Sequence, residues 1–250
     1  MKIRTSSSVK LFEPKAKKAW GIDVWDGIDD PDQDLIFFGL YHDRDFEVFH
    51  NFKGNKSVFW CGGDILRLKD DYERRRVLRV NPATHYCETE KEATLLKEAG
   101  IDALIVPSFL GMIEDYPISF TPPVDGKWKI WMCGHQHRER EYGFDQAKAI
   151  AKIFPDVEFH LYGVDEEYDG KIKQKPIPNV IYHGQVPEAQ LDAEIRNYHC
   201  GFRPNENDGV SEVIIKSILL GQHPISFLPY EGVWKYETFS ELVALIQKLK

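Results

Sequence analysis

Short apolar segments alternate with helix-forming segments along most of the chain, and this alternation constrains the fold more than any other feature. Segments rich in valine, isoleucine, phenylalanine and tyrosine predict strands at 35–41, 57–61, 103–106, 128–133, 157–162, 179–182, 200–203 and 223–227. The segments between them predict helices at 65–79, 89–99, 144–154, 187–198 and 211–220. Because parallel strands need helical crossovers, this order predicts an α/β protein with helices on both faces of parallel sheets.

A proline-rich segment at 116–127, YPISFTPPVDGK, interrupts the alternation. Adjacent prolines followed by a glycine are typical of a linker. We therefore predict two α/β domains, residues 1–122 and 123–232, each near the lower end of domain sizes. Residues 233–250 carry apolar side chains at helical spacing and predict an amphipathic helix that packs back on the body.

Composition narrows the function classes. Forty acidic side chains against 32 basic ones give a net charge of −8, which disfavours nucleic acids and acidic membrane surfaces as partners. The cysteines lie far apart in sequence, which fits neither a zinc site nor a disulfide framework, so reduced thiols are expected: Cys61, Cys87, Cys133 and Cys200. No apolar run approaches the roughly 18 residues of a membrane span, and the start MKIRTSSSVK lacks the apolar core of a signal peptide. We expect a cytoplasmic protein without a transmembrane segment.

Residues 198–227 carry the most information about a ligand. The segment predicts a strand, a turn that contains Asp208 and Gly209, and a helix from about Ser211. A glycine turn at the amino end of a helix exposes unpaired N–H groups and the positive end of the helix dipole, which suit a phosphate or sugar hydroxyls. Asp208 could accept hydrogen bonds from a sugar. An ordinary loop in which Ser211 caps the helix explains the same pattern, and local reasoning leaves both interpretations open.

A second candidate lies where residues 60–64, WCGGD, end a predicted strand. Two glycines let a ligand approach the backbone, and the Asp64 carboxylate could point into a cleft. A turn in which Asp64 caps the following helix is the equal alternative. His85 and Glu88 flank the next predicted strand and could face the same cleft, although a lone histidine is more often structural.

The run PNENDGVSEVIIKSILLGQHPI resembles the donor-site signature of the retaining, nucleotide-sugar-dependent glycosyltransferases with the GT-B fold, P-S-x-x-E-G-F-G-x-x-x-x-E-A-x-x-x-G-x-P. The matching positions are Pro204, Asp208, Gly209, Gly221 and Pro224. Residues 128–163 are similar to the opening strand, phosphate-contacting loop and helix of the same domain, and 177–202 to the stretch beside the nucleotide base. In the first half, VFWCGGDIL and HYCETEKEATLLKEAGIDALIVPSFLG resemble acceptor-side elements, so the resemblance covers about 57–227.

The resemblance implies two facing Rossmann-like domains, the first of them shortened. It also implies transfer of a sugar from a UDP- or GDP-linked donor to a hydroxyl of a glycan, lipid-linked or other acceptor, with retention and without a metal or other cofactor. The implied catalytic residues are Arg138, Asp208 and Asp64. The implied donor-binding residues are Gly134, His135, Gly184, Gly209, Val210, Ser211, Glu212 and Lys216. The implied acceptor-side residues are Gly62, Gly63, His85 and Glu88.

Three features depart from the family pattern. Lys216 replaces the family's second acid and could donate to the donor ribose or pair with Glu212 one turn earlier. The lysine that should accompany Arg138 is Tyr142, with Arg140 as a possible substitute. The family's first glycine-rich strand, loop and helix are not recognisable in the first half.

Two other function classes stay open. A non-catalytic sugar-nucleotide-binding relative fits the missing acid and lysine. A metal-dependent phosphoesterase fits the GHQH sequence at 134–137, because two histidines at i and i+2 suit metal ligation. The order of the motifs argues against the phosphoesterase, since Gly54 and Asn55 precede Gly63 and Asp64 instead of following them.

Overall fold

The computed structural model describes residues 1–28, 30–106, 113–116, 126–135, 138, 140–165, 176–205, 208–228 and 231–250. Contacts divide the chain into two compact units, Met1–Met112 with Asn207–Val210, and Ile113–Glu206 with Ser211–Lys250. The predicted boundary after residue 122 lies outside the described residues.

The first unit is a parallel sheet of six strands in the order β2-β1-β3-β4-β5-β6. The strands are β1 Lys2–Thr5, β2 Asp23–Val24, β3 Asp34–Phe38, β4 Asn55–Phe59, β5 Thr84–Cys87 and β6 Leu104–Ile105. The α-helices are α1 Glu13–Trp20, α2 Asp43–Asn51, α3 Tyr72–Val80 and α4 Glu90–Glu98, with 3₁₀ helices at Ser7–Phe12 and Ile65–Arg67. Successive residues of a strand point to opposite faces, so Phe37 packs in one core and Phe38 in the other.

The first unit opens with β1, the 3₁₀ helix Ser7–Phe12 and α1, none of which the sequence pattern predicted. Ser6 follows β1 directly, and Ser7 and Ser8 begin the 3₁₀ helix. No glycine lies between Ser6 and the end of α1, so a glycine-rich pattern could not indicate this element.

The second unit is a parallel sheet of six strands in the order β12-β11-β10-β7-β8-β9. The strands are β7 Trp128–Cys133, β8 Val157–Tyr162, β9 Val180–Gly184, β10 Cys200–Arg203, β11 Ile225–Ser226 and β12 Trp234–Lys235. The α-helices are α5 Phe144–Ile153, α6 Glu188–Ile195, α7 Glu212–Leu219 and α8 Phe239–Leu249, with a 3₁₀ helix at Ile113–Asp115. Leu242 and Ile246 of α8 are buried in the core of this unit.

Counted within the unit, this is the strand order 6-5-4-1-2-3 of a Rossmann sheet. Two parallel six-stranded sheets with flanking helices confirm the predicted α/β class. In the part of the chain that the structure describes, no helix combines the length and the apolar character needed to cross a membrane.

Candidate functional site

The switch point of the second sheet lies between β7 and β10. These strands are neighbours, and the chain runs from them toward opposite edges of the sheet. Such a reversal leaves a crevice at the carboxyl ends of the two strands, which is where open α/β sheets bind ligands. Here the two ends are Cys133 and Arg203, and Gly134 and His135 continue from the first of them.

Three glycines let backbone segments approach one another closely around this crevice. A Cβ on Gly143 would lie 2.1 Å from Pro204 Cγ, and one on Gly134 would lie 2.4 Å from the Phe144 ring. Gly163, with a φ of +81°, leaves a Cβ only 2.3 Å from the Gly134 carbonyl oxygen. Larger residues at these positions would force the strand ends apart. Gly134 itself is therefore packed closely against Phe144 and Gly163.

Two arginines flank the ring of Tyr142 beside this loop. The guanidinium carbon of Arg203 lies 4.6 Å from the ring centroid, and that of Arg138 lies 5.6 Å from it. Arg203 Nη1 also donates to the Cys133 carbonyl at 3.1 Å. Arg138 is 57% exposed and pairs with Glu141, its Nε lying 2.7 Å from Glu141 Oε2. The structure thus adds Arg203 to the predicted residues at the switch point.

Gly184 ends β9 on the same edge of the sheet. Its φ is +64°, and an added Cβ would lie 2.4 Å from Asp165 Oδ1. The Gly163 N–H donates to the Gly184 carbonyl at 2.7 Å, which ties the ends of β8 and β9 together. The side chain of Gln185 follows directly and donates to the Gly163 carbonyl at 3.4 Å. The predicted base-side position is therefore a fixed turn at the carboxyl edge.

α7 begins after Ser211, which occupies the N-cap position and is buried. Glu212 is the first residue of the helix. These two predicted donor-binding residues thus lie at the amino end of the helix that follows β10.

Lys216 lies in a different environment from the one that the sequence suggested. It is 2% exposed, and its Nζ lies 3.0 Å from Glu188 Oε1 and 2.8 Å from Asp192 Oδ1, both on α6. The predicted partner Glu212 is farther away, at 3.9 Å. A buried ammonium that is already paired with two carboxylates holds α7 against α6. These contacts support a structural role for Lys216, and its donor-binding role stays a prediction.

In the first unit, Asp64 organises the turn after β4. Its carboxylate accepts backbone N–H groups of Leu40, Cys61 and Ile65 at 3.0, 3.0 and 3.1 Å, and the residue is 1% exposed. Burial raises its pKa to about 6, against the opposing effect of these hydrogen bonds. An enclosed carboxylate with these partners supports the turn interpretation of Asp64, and its catalytic role stays a prediction.

Glu88 contacts the predicted donor turn, whose residues Asn207–Val210 belong to the first unit. The Val210 N–H donates to Glu88 Oε2 at 2.8 Å. A Cβ on Gly209 would lie 1.9 Å from the same oxygen, so a larger residue here would displace the Glu88 carboxylate from the Val210 N–H. Asp208 is half-buried next to it. The predicted acceptor-side acid and the predicted glycine turn are thus brought together within one unit.

Glu92 is a residue that sequence reasoning missed. Its Oε2 accepts the N–H groups of Glu88 and Thr89, whereas its buried Oε1 has no hydrogen-bond partner among the described residues. A Cβ on Gly62, whose φ is +84°, would lie 3.1 Å from that Oε1. Burial raises the pKa of Glu92 to about 7. The Thr89-x-x-Glu92 spacing is a capping box and could have revealed the residue.

The other predicted acceptor-side residues differ in position. Gly63 packs near Tyr41, whose ring would lie 3.4 Å from an added Cβ. His85 lies within β5 and its Nδ1 accepts from Trp60 Nε1 at 3.3 Å. Burial lowers the pKa of His85 to about 4, so the ring is neutral near pH 7. The hydrogen bond from Trp60 supports the structural interpretation of His85, and its ligand contact stays a prediction.

The phosphoesterase interpretation depends on residues that are only partly described. Gln136 and His137 lie outside the described residues, and His135 is exposed. Among the residues with described positions, no group of three or more histidine, cysteine, aspartate or glutamate side chains could hold a metal ion.

Comparison with solved structures gives matches to glycosyltransferases. The pneumococcal O-GlcNAc transferase GtfA, solved with UDP and GlcNAc, matches 94% of this chain and 53% of its own at 11% identity and a TM-score of 0.55. Sucrose-phosphate synthase from Thermosynechococcus elongatus matches 96% of this chain and 69% of its own at 14% identity and a TM-score of 0.66. A trehalose-6-phosphate synthase, described as transferring a glycosyl group with retention, matches 88% and 66% at 10% identity and a TM-score of 0.62.

This chain therefore spans about half the length of the first of these proteins and about two thirds of the other two. The sequence by itself matches no protein-family model and no curated protein. Identities of 10–14% carry information about architecture alone. Together with the two parallel sheets, the structural matches show that the chain has the fold of the GT-B nucleotide-sugar glycosyltransferases.

Proposed function

We propose that the protein is a glycosyltransferase that moves a sugar from a UDP- or GDP-linked donor to an acceptor hydroxyl. The observation that carries the proposal is the switch point of the second unit, where Gly134 and Arg138 follow the carboxyl end of β7, which is paired with β10. This arrangement suits a diphosphate, because backbone can approach the phosphates and a guanidinium can neutralise them.

In the proposed reaction the bond between the anomeric carbon and the phosphate oxygen breaks, and its electron pair stays on the departing diphosphate. The acceptor oxygen forms the new bond to the anomeric carbon and loses its proton to that diphosphate or to solvent. Arg138 stabilises the negative charge that grows on the leaving group. We propose retention of configuration and no metal requirement, since an arginine supplies the positive charge that a metal would otherwise provide.

The remaining predicted residues are assigned roles according to the unit in which they lie and the contacts that they already make. Gly134, His135, Gly184, Ser211 and Glu212 stay proposed donor-binding residues of the second unit. In the first unit, Asp208, Gly209 and Val210 stay proposed sugar-binding residues, and Gly62, Gly63 and Glu88 stay proposed acceptor-binding residues. The acceptor is proposed to be a glycan, lipid-linked or other hydroxyl compound. Asp64, His85 and Lys216 are left out because each already serves a buried structural contact.

The cellular location is proposed to be the cytoplasm. All four cysteines are free thiols, two of them buried, as expected for a reducing compartment.

The proposal is tested by calorimetric titration of UDP and GDP into the protein in buffer with EDTA. We expect one nucleoside diphosphate to bind at micromolar to millimolar concentration and to raise the unfolding temperature by mass action. A turnover assay with the matching nucleotide sugars, read as release of nucleoside diphosphate, then separates an enzyme from a non-catalytic relative. Absence of binding by either diphosphate at millimolar concentration would contradict the proposed donor site.

A further inference from the structure

Arg203 ends β10 at the switch point of the second unit, and no sequence pattern assigned it a role. We propose that Arg203 binds the diphosphate of the donor together with Arg138, and that Tyr142 positions the guanidinium of Arg203. This inference rests on the proposed function and adds a ligand-contacting residue to it.

The position of Arg203 is fixed from two sides. Its carbonyl accepts the Ser226 hydroxyl at 2.9 Å, and its Nη1 donates to the Cys133 carbonyl at 3.1 Å. The guanidinium thereby crosses the gap between the ends of β10 and β7. The side chain is half-buried, which limits the solvent screening of its charge.

Tyr142 provides a rigid platform for this guanidinium. The ring packs against the hydrophobic core of the second unit and lies 4.6 Å from the Arg203 guanidinium carbon. A guanidinium stacked on an aromatic face is held in one plane, so less freedom is lost when it binds a planar pair of oxygens. Arg138 approaches the same ring at 5.6 Å, which places two cations around one side chain.

Two arginines around one ring suit a ligand with more than one negative charge. A guanidinium has five N–H donors in a fixed fork, a geometry that matches the paired oxygens of a phosphate. Arg203 thus brings a second positive charge to a loop in which Tyr142 stands where the resemblance leads us to expect lysine. A diphosphate bound here would lie at the carboxyl edge, as the switch-point rule requires.

The alternative is that Arg203 only ties the two strand ends together. The two interpretations predict different effects of an Arg203 substitution on the binding of different ligands. A strand tie affects stability and all ligands equally, whereas a phosphate contact affects UDP or GDP and leaves uridine or guanosine almost unchanged.

The experiment compares the dissociation constants of UDP, GDP, uridine and guanosine by calorimetry, with circular dichroism to verify folding. The variants are Arg203→Met, Arg203→Lys and Tyr142→Leu. Arg196→Met is the matched control, because it removes the same charge from the same unit at an arginine that donates to the Asp115 carbonyl.

We expect Arg203→Met to raise the dissociation constant of the diphosphate that the wild type binds by about 10- to 100-fold, because a charge-assisted hydrogen bond is lost. The matching nucleoside should change less than about threefold, and Arg196→Met should match the wild type. Tyr142→Leu should raise the dissociation constant of the diphosphate several-fold, because the ring no longer holds the guanidinium of Arg203 in place. If Arg203→Met does not fold, Arg203→Lys decides, with an expected loss of about fivefold or more, because an ammonium cannot reproduce the fork.

Diphosphate affinity within twofold of wild type in a folded Arg203 variant overturns this inference and leaves the proposed function standing. Equal losses for the diphosphate and its nucleoside also overturn it, since they indicate a strand tie. A wild-type protein that binds neither diphosphate overturns both proposals together.

Discussion

Replacing Lys216 by methionine separates the structural role from the ligand-binding role predicted by sequence. Methionine keeps most of the aliphatic stem and removes the ammonium, so the packing around the stem changes little. The variant leaves Glu188 and Asp192 without the cation that they both contact at 3.0 Å or less.

The expected loss of unfolding free energy depends on how far the Glu188 and Asp192 carboxylates can be rehydrated in the variant. Removing one partner of a fully buried ion pair costs about 3–5 kcal/mol. The side chains of Glu188 and Asp192 are 43% and 21% exposed, so both carboxylates recover part of their hydration. We therefore expect Lys216→Met to lower the free energy of unfolding by roughly 2–3 kcal/mol.

The assay is urea unfolding of the wild type, Lys216→Met and the control Lys152→Met, an exposed lysine on α5 of the same unit. Adding Asp192→Asn to Lys216→Met should recover part of the loss, because one uncompensated carboxylate is removed. Nucleoside diphosphate affinity should stay within about twofold of wild type. Unchanged stability combined with weakened nucleotide binding would refute this reasoning and restore Lys216 to the donor site.

Two further perturbations test local contacts. Gly209→Ala places a Cβ about where Glu88 Oε2 lies, at 1.9 Å, and should cost roughly 1–3 kcal/mol of unfolding free energy. Combining it with Glu88→Ala should recover most of that loss in urea titrations, and no recovery would mean that another contact causes it. Burial, followed by the nearby His183, lowers the pKa of His160 to about 4, so the unfolded chain binds the extra proton first. The contribution of His160 is therefore present above about pH 6.5 and lost as pH falls toward about 4. His160→Gln should flatten that part of the stability profile, and an unchanged slope would count against it.

Much of the fold could be predicted because its signals are local. The predicted bounds of β7, β8 and β10 match the structure to the residue, since each is a short run of strand-forming residues with clear stops. β2 and β12 contain two residues each and are too short for a periodic signal. The predicted helix at 65–79 is instead a 3₁₀ turn followed by α3, because Asp64 and Asp71 each cap their own segment.

The candidate site was harder to predict from the sequence than the fold, because its contacts join residues that are far apart in the chain. Arg203 reaches Tyr142 only because β10 pairs with β7 across some 70 residues of chain. The true partners of Lys216 lie 24 and 28 residues earlier, on α6, where helical spacing within α7 could not indicate them. Gly134 and Arg138, by contrast, follow directly after a predicted strand, so their place at the carboxyl edge was predictable.

The proposed donor site is tested most directly by a crystal structure of the protein with bound UDP, or with GDP if that is the diphosphate it prefers. We expect the diphosphate at the carboxyl ends of β7 and β10, with phosphate oxygens about 3 Å from the guanidinium of Arg203 and close to Gly134. A nucleotide bound elsewhere, or bound with its phosphates turned away from both Arg203 and Arg138, would contradict it.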